Sequence, residues 1–196
     1  AASADKAEAV AKDLKSKGVR AAAFKADQAD AKQVEDLVRK VAKEFGRLDI
    51  LVNNAGMFAG GAVNDVADRA AFERLFAVNV GGVSAAVRAA VNYMREGGRI
   101  ITIGSVAGEM SPVPGFADYS ATKAAVGAYT RGWARDLGPK AITVNNVQPG
   151  PIDTDMVKAL EMPKASAADV AKGLLAGIDR GEEDIFPDPM AQQMGA

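Results

Sequence analysis

The stretch DILVNNAG, residues 49–56, decides the fold class. Its three consecutive aliphatic residues are typical of a strand that is buried on both faces, as the strands of parallel sheets are. RIITIG (99–104) and AITVNNV (141–147) are two further short apolar runs. Three such runs predict a parallel sheet whose strands end in polar or glycine-containing loops.

Helical periodicity fills the intervals between these strands. Strands that alternate with helices predict an α/β fold with a doubly wound parallel sheet, Rossmann-like, in one domain over residues 1–196. The tail 187–196 is expected to be loose. We expect helices over 5–17, 30–45, 68–95, 118–137 and 166–180, and two further strands over 19–24 and 182–186.

Composition and charge exclude several classes of function. The 196 residues carry 24 Lys and Arg against 25 Asp and Glu, and no basic stripe stands out, so we expect no nucleic-acid partner. We see no apolar run near the roughly 18 residues of a membrane span and no signal segment. The expected location is the cytoplasm, with no membrane partner.

The sequence contains no cysteine and no histidine. This excludes disulfides, cysteine nucleophiles, cysteine zinc sites, Ser-His-Asp triads and HExxH zinc sites, so we expect no metal. Proton transfer near neutral pH must then use Tyr, Lys, Ser or a carboxylate with a shifted pKa.

Three strand-end loops are small, polar and glycine-bearing: NNAG (53–56), GSVAG (104–108) and QPGPIDT (148–154). Ligands of open parallel sheets bind in the crevice at the carboxyl ends of the strands. The alternative is that these residues only turn the chain, but three such loops together favour a ligand site.

Tyr119 and Lys123 stand four positions apart in a predicted helix, and therefore on one face. A nearby ammonium favours the phenolate, so we expect the pKa of Tyr119 to move from about 10 toward neutrality. The phenol could then act as a general acid or base. A Tyr-x-x-x-Lys match alone is weak, since chance gives one in about one chain of five with this composition.

Two further polar residues are candidates for the same crevice. Ser105 follows the strand RIITIG directly, and Asn79 lies in FAVNVGG inside a helical pattern, where asparagine is a poor helix former. The alternatives are a turn serine and an asparagine that faces solvent or bonds to the backbone.

In this order and spacing, NNAG, N-V-x-G, the strand-end serine, Y-x-x-x-K and the loop QPGPIDT closely resemble the short-chain dehydrogenase/reductase family, including its 3-oxoacyl-ACP reductase-like members. The resemblance implies hydride transfer between a nicotinamide cofactor and a ketone or secondary alcohol, with a 3-oxoacyl thioester as one candidate. It implies that Tyr119 is the general acid or base and that Ser105 holds the carbonyl oxygen. Lys123 would lower the tyrosine pKa and bond the nicotinamide ribose, and Asn79 would bind a relay water.

The resemblance also implies a set of cofactor contacts at the strand ends. Asp27 would contact adenine, and the remaining positions would lie along the adenine ribose, the pyrophosphate and the nicotinamide amide, beside Tyr119 and Lys123. These remaining positions are Asn53, Ala55, Gly56, Pro149, Gly150, Ile152 and Thr154. Ser3 and Lys6 resemble phosphate-accepting members, which favours NADP over NAD.

One family motif is not found in the sequence. The turn T-G-x-x-x-G-x-G, which receives the pyrophosphate, is absent, and NNAGMFAGGA follows a different strand. We therefore expect an N-terminally incomplete fold that lacks the first strand, the glycine-rich loop and the second strand, and that exposes an apolar sheet edge. The chain would be the retained part of a longer reductase.

Met110, Val113, Phe116 and Met156 indicate an apolar pocket for a small-molecule carbonyl or alcohol, or a surface that packs on a neighbouring subunit. Small residues at 124, 125, 127 and 128 permit a homodimer or homotetramer, although a contact within the chain would need them equally. The alternative function is a catalytically silent scaffold protein that acts in nucleotide sensing or assembly.

Overall fold

The computed structural model describes residues 4–64, 69–158 and 161–195. Within them, four strands form one sheet in the order β1-β2-β3-β4, and every neighbouring pair is parallel. Ile50 lies opposite Arg99, and Arg99 lies opposite Thr143. The predicted α/β fold with a parallel sheet is confirmed. The strands are β1 (Ile50–Asn53), β2 (Arg99–Ile103), β3 (Thr143–Val147) and β4 (Asp184–Ile185).

Helices precede the sheet, connect its strands and follow it. Short 3-10 turns occupy Val106–Gly108, Gly138–Lys140 and Asp155–Val157, and a π-helical turn occupies Ala77–Gly81. The α-helices are α1 (Ala4–Ser16), α2 (Ala31–Phe45), α3 (Arg69–Phe76), α4 (Gly82–Ala90), α5 (Ala117–Leu137), α6 (Ala167–Asp179) and α7 (Pro189–Met194).

The core lies on both faces of the sheet. Ile100 packs with Val87 of α4 and Val126 of α5, whereas the next residue of β2, Ile101, packs with Ile185 and the side chains of α6. Side chains of a strand alternate between its faces, so α4 and α5 cover one face and α6 covers the other. The sheet is therefore doubly wound, as predicted.

Local signals set the ends of α2. The carboxylate of Asp30 accepts a hydrogen bond from the Gln33 amide at the first turn, and Gly46 ends the helix with a φ of 77°. Asp is a favoured N-cap, and glycine adopts a left-handed φ without steric cost. The sequence-based bounds of this helix are therefore confirmed.

The predicted strand over residues 19–24 is wrong. In the described residues this segment has no strand beside it, and a strand needs a neighbour whose amides and carbonyls bond to its own. On the sheet, β1 is an edge strand on which Ile50 and Val52 are each about half exposed (54% and 52%). The expected apolar edge is thus present.

The expectation of a loose tail is also wrong. Asp188 is buried and caps α7 by accepting from the Ala191 amide, and Ala191 is fully buried. Proline occupies the first helical position, which it favours. The Asp188 carboxylate also accepts from the Gly150 amide, so this segment is bound to the loop after β3.

The predicted helix over 68–95 is shorter and less regular than expected. Residue 68 lies outside the described residues, and α4 ends at Ala90, where the Asn92 side chain bonds the carbonyls of Arg88 and Ala89. By length and composition the stretch Arg69–Ala90 could cross a membrane, contrary to expectation. Much of it packs in the core, and core helices of soluble proteins meet the same test.

Candidate functional site

The carboxyl ends of β1, β2 and β3 meet at one edge of the sheet, where α5 begins. Gly56, Ser105 and Pro149 follow these three strands, and the first turns of α5 carry Tyr119 and Lys123. The three polar loops predicted from the sequence therefore lie at one edge of the sheet, the edge at which open parallel sheets bind their ligands.

Tyr119 and Lys123 lie side by side on α5. The Lys123 ammonium is 5.7 Å from the centroid of the Tyr119 ring and donates a hydrogen bond of 2.8 Å to the carbonyl oxygen of Ile103 at the end of β2. The ammonium is thereby fixed between the helix and the strand end. Two of its three protons are left for other acceptors.

The structure does not support the expected fall in the pKa of Tyr119. Burial raises the pKa of the phenol, and the contact with the Ser105 hydroxyl offsets this only in part. Burial also lowers the pKa of Lys123 to about 8, because a charged ammonium loses its hydration there. The ammonium bonds the Ile103 carbonyl and lies beside the aromatic ring. In this structure burial, rather than charge attraction, is the main cause of both pKa shifts.

Ser105 holds its place through the turn that follows β2. It is extended, and its hydroxyl oxygen accepts a hydrogen bond of 3.1 Å from the Ala107 amide, which caps the 3-10 turn Val106–Gly108. The same hydroxyl contacts the Tyr119 phenol. The serine is both a turn residue and a neighbour of the tyrosine, so the two interpretations of Ser105 do not compete.

Asn79 lies in the π-helical turn between α3 and α4. Its side-chain oxygen accepts from the Met57 amide at 2.9 Å, and its side-chain nitrogen donates to the Met57 carbonyl at 3.0 Å and to the Thr122 hydroxyl at 3.1 Å. Thr122 in turn donates to the Tyr119 carbonyl at 2.7 Å. One buried amide therefore joins the loop after β1, the π turn and the start of α5, and π turns are frequent at functional sites.

Gly56 is the point that these side chains surround. A Cβ atom added there would lie 3.4 Å from the Asn79 side-chain oxygen and 3.8 Å from the Lys123 ammonium. Both are ordinary contact distances, so the backbone of Gly56 lies directly against a buried amine that has two protons to donate. A donor of this kind fits a cofactor that presents sugar hydroxyls at this edge.

The loop after β3 is anchored from the C-terminal end. Its Gly150 amide donates to the Asp188 carboxylate at 2.9 Å, and the Pro149 carbonyl accepts from the Val106 amide at 3.2 Å. Ile152 forms a parallel bridge with Ala165, and the half of the loop that ends at Thr154 is exposed. The loop thus borders the crevice, with its buried end tied to two neighbouring elements.

The remaining predicted cofactor contacts are more dispersed. Asp27 forms an exposed ion pair with Arg74 at 3.1 Å, and the Ala29 amide and Arg74 hold the pKa of Asp27 below its usual value. Asn53 is buried and donates to the Thr102 hydroxyl within the sheet, whereas Ala55 is exposed beside Gly56. The Asn53 side chain therefore links β1 to β2.

Neither of the residues that favoured NADP forms a defined phosphate site. Ser3 lies outside the described residues. Lys6 is exposed on α1 and pairs at 3.4 Å with Asp155, which is also exposed. In the described part of the chain, no group of three or more acidic side chains could hold a metal ion.

The comparison with protein families decides where the chain belongs. Residues 1–165 match the model of the short chain dehydrogenases. The chain belongs to the short-chain dehydrogenase family. The solved short chain dehydrogenase of Burkholderia cenocepacia J2315 in complex with NADP is 37% identical, with a TM-score of 0.87 over 97% of this chain and 84% of that chain. A blue fluorescent protein from a metagenomic library, in complex with NADPH, is 38% identical with a TM-score of 0.86 over 96% of this chain and 83% of that chain.

Curated relatives of this short-chain dehydrogenase include elsinochrome reductase 1 of Elsinoe fawcettii, 41% identical over 81% of this chain. The trihydroxynaphthalene reductase of Colletotrichum orbiculare is 39% identical over 80%. The cyclic-di-GMP-binding biofilm dispersal mediator protein of Escherichia coli K12 is 49% identical over 66%. The chain spans only 59%, 55% and 52% of the length of these three proteins.

The apolar residues predicted near the site differ in their exposure in this short-chain dehydrogenase. Met110, Val113 and Met156 are each 44% to 51% exposed, and Phe116 is half-buried. The ring of Phe58 lies 5.2 Å from the Tyr119 ring. The rings of Phe58 and Phe116 thus lie beside the Tyr119 ring, and the apolar pocket stays a prediction.

The small residues of α5 have two different environments. Ala124 and Ala128 are exposed, whereas Gly127 is buried, where a Cβ would lie 3.3 Å from the Asn146 side-chain nitrogen. Glycine at 127 therefore serves packing within the chain, and the exposed alanines are left as a surface.

Sequence reasoning missed Thr122, Phe58 and Asp188. Thr122 stands one position before Lys123, and Phe58 stands two positions after the NNAG loop, so their proximity to named residues was the available signal. The contact of Asp188 with Gly150 spans 38 residues, and nothing local in the sequence indicates it.

Proposed function

We propose that this protein is an NAD(P)-dependent oxidoreductase that interconverts a ketone and a secondary alcohol, with NADP as the favoured cofactor. The observation that carries the proposal is the Lys123 ammonium, fixed beside Tyr119 and against the backbone of Gly56. The NADP and NADPH complexes of its structural neighbours support this choice of cofactor.

In the proposed reaction, Tyr119 is the general acid. A buried phenol with a raised pKa is protonated at neutral pH, so in the reduction it can donate its proton to the carbonyl oxygen. In the oxidation the phenolate would take the proton back from the alcohol. Phenolate would be stabilised by the ammonium of Lys123, which is close enough to act once charge develops.

The neighbouring side chains have supporting roles. Ser105 donates a hydrogen bond to the substrate oxygen through the hydroxyl that now contacts Tyr119. Lys123 has two protons free for ribose hydroxyls. Asn79 uses one lone pair of its oxygen for Met57, and the other can accept from the relay water that we propose between Lys123 and solvent.

The cofactor would lie along the strand ends. When bound, a nicotinamide cofactor supplies the hydride, which no side chain can supply. Pro149, Gly150, Ile152 and Thr154 would border its nicotinamide amide and pyrophosphate, and Asn53, Ala55 and Gly56 its adenine ribose. Asp27 would contact the adenine from the position in which it forms its ion pair with Arg74.

The substrate is proposed to be a small carbonyl compound. One relative is a trihydroxynaphthalene reductase, and naphthalene is a fused aromatic ring system, which favours a ring-bearing ketone. The narrower prediction of a 3-oxoacyl thioester stays a prediction, and it is tested by offering such a thioester to the protein together with NADPH.

The test is Tyr119→Phe, which removes the proton and keeps the ring. With NADPH and a ketone, turnover should fall at least about 100-fold, the usual contribution of a positioned general acid. Tyr93→Phe is the matched control, because Tyr93 is an exposed tyrosine after α4. Ketone reduction that persists in Tyr119→Phe at the unaltered rate would remove the phenol from its proposed role.

A second function has one specific observation in its favour. The relative with 49% identity is named a cyclic-di-GMP-binding biofilm dispersal mediator, so a silent scaffold that senses a nucleotide is the alternative. Titration calorimetry with cyclic di-GMP and with NADPH separates the two. Binding of cyclic di-GMP without ketone turnover would support the scaffold.

Three broader predictions stand as proposals. We propose one domain over residues 1–196, a homodimer or homotetramer, and a cytoplasmic location. The exposed alanines at 124 and 128 of α5 support subunit association, because small residues allow close helix packing. Sedimentation velocity of the purified protein tests the oligomer.

A further inference from the structure

Three aromatic rings form one cluster at the site. The Phe58 ring lies 4.9 Å from the Phe116 ring and 5.2 Å from the Tyr119 ring, and Phe116 lies 6.2 Å from Tyr119. All three distances are within the range of favourable ring pairs. We call Phe58 and Phe116 together the aromatic wall.

Two loops hold the aromatic wall in a fixed position. The segment 113–116 is a turn with proline second and Gly115 third, and Gly115 has a φ of 85°, as a type II turn requires. The Gly61 amide donates to the Gly115 carbonyl at 3.1 Å, which ties this turn to the loop that carries Phe58.

Gly60 allows this close approach. A Cβ at position 60 would lie 2.5 Å from the Gly115 carbonyl oxygen and 2.9 Å from the Phe58 ring. Only a residue without a side chain fits against the Gly115 carbonyl, and glycine lets the Phe58 ring lie against the backbone of its own loop.

Phe58 nevertheless keeps 40% of its surface exposed, beside the phenol that would meet the carbonyl oxygen. A ring attached to that carbonyl would find an aromatic surface 5.2 Å from the Tyr119 ring.

We propose that the aromatic wall of Phe58 and Phe116 selects ketones whose carbonyl is attached directly to an aromatic ring. This inference rests on the proposed function and specifies its substrate class. In the reaction, the carbonyl carbon gains a hydride from NADPH, which is oxidised to NADP+, and the carbonyl oxygen gains the proton of Tyr119.

The test compares acetophenone with cyclohexyl methyl ketone, which has the same carbon skeleton without the aromatic ring. We expect kcat/KM for acetophenone to exceed that for the cyclohexyl ketone beyond their difference in intrinsic reactivity with borohydride. In Phe58→Leu, which keeps apolar bulk, this preference should fall about 3- to 10-fold, the range that an aromatic pair contributes beyond burial of its area. An unchanged preference in Phe58→Leu would overturn the inference.

Two further variants make the comparison specific. Phe72→Leu is the matched control, because Phe72 is a similarly exposed phenylalanine whose ring pairs with Phe76 of α3 and not with the wall. Phe116→Leu replaces Phe58→Leu if the latter does not fold, as judged by circular dichroism. A loss of preference in Phe72→Leu equal to that in the wall variants would also overturn the inference.

Binding without NADPH separates this inference from the proposed function. Ligand-observed NMR gives the affinity of each ketone for the protein and for Phe58→Leu. If neither ketone is reduced, the proposed function fails, and tighter acetophenone binding that is lost in Phe58→Leu still supports the aromatic wall. Equal affinities for the two ketones, together with no turnover, would overturn both.

Discussion

Replacing Lys123 by methionine should stabilise the fold while it removes the proposed activity. The Lys123 ammonium donates a hydrogen bond to the Ile103 carbonyl, and burial lowers the pKa of Lys123 from the usual 10.5 to about 8. A lowered lysine pKa means that the folded protein holds the charged form at a cost in free energy. Methionine has a similar length and no charge, so it removes that cost.

The magnitude follows from the two pKa values. The difference between 10.5 and about 8 corresponds to roughly 3 kcal/mol at neutral pH. Against it stands the Ile103 carbonyl, which loses its donor in the variant at a cost of about 1–2 kcal/mol. We therefore expect Lys123→Met to raise the free energy of unfolding by about 1–2 kcal/mol at pH 7.

The pH dependence gives the sharper test. Because the pKa is lower in the folded state, the unfolded state binds more protons between about pH 8 and pH 10.5, and wild-type stability rises with pH over that window. Lys123→Met lacks this rise. Its advantage over wild type should therefore shrink by about 2 kcal/mol between pH 7 and roughly pH 9.5.

Urea unfolding followed by circular dichroism measures both quantities. Lys32→Met is the matched control, because Lys32 is exposed on α2, and its effect should stay within about 0.5 kcal/mol at either pH. The reasoning is refuted if Lys123→Met destabilises the protein at pH 7, or if its difference from wild type is the same at both pH values.

Two further variants test the connections around the site. Asn79→Ala removes three hydrogen bonds and should lower the free energy of unfolding in urea melts by about 2–4 kcal/mol. The control Asn92→Ala should lower it by less than about 1 kcal/mol. A loss below about 1 kcal/mol for Asn79→Ala would contradict this prediction. Asp188→Ala should lower the free energy of unfolding by about 1–3 kcal/mol, because the Gly150 and Ala191 amides lose their acceptor. The same variant should weaken NADPH binding in a fluorescence titration. An NADPH affinity equal to that of Asp179→Ala, a control at an exposed position, would contradict a role of Asp188 in holding the cofactor loop.

The sequence predicted the features that local chemistry determines. Short apolar runs marked the strands β1, β2 and β3, and Asp30 and Gly46 marked both ends of α2. These signals act within a few residues, so periodicity and capping suffice to read them.

Features that depend on distant partners were not predictable in this way. Residues 19–24 have the composition of a strand, but strand pairing needs a neighbour that sequence periodicity does not reveal. The tail was expected to be loose because the partner of Asp188, Gly150, lies 38 residues away along the chain. Both errors concern long-range contacts.

In the candidate site, too, the features set by local spacing were predictable from the sequence and those set by burial were not. Spacing placed Tyr119 and Lys123 on one helix face, and strand ends brought Ser105 and Gly56 to the same edge. The direction of the Tyr119 pKa could not be read from spacing, because it depends on how deeply the phenol is buried.

Asn79 and Lys123 affect stability in opposite directions, although they lie on either side of the same glycine. Asn79 satisfies the backbone of Met57 and reaches Thr122, so the fold gains from it. Lys123 is held as a buried charge, so the fold loses by it, and residues retained at such a cost are typical of functional sites. The three bonds of Asn79 bind the loop beside Gly56 to α5, the helix that carries the ammonium. The stabilising residue therefore fixes the surroundings in which the destabilising one is kept, and loosening Asn79 should let water reach Lys123 and return its pKa toward the usual value.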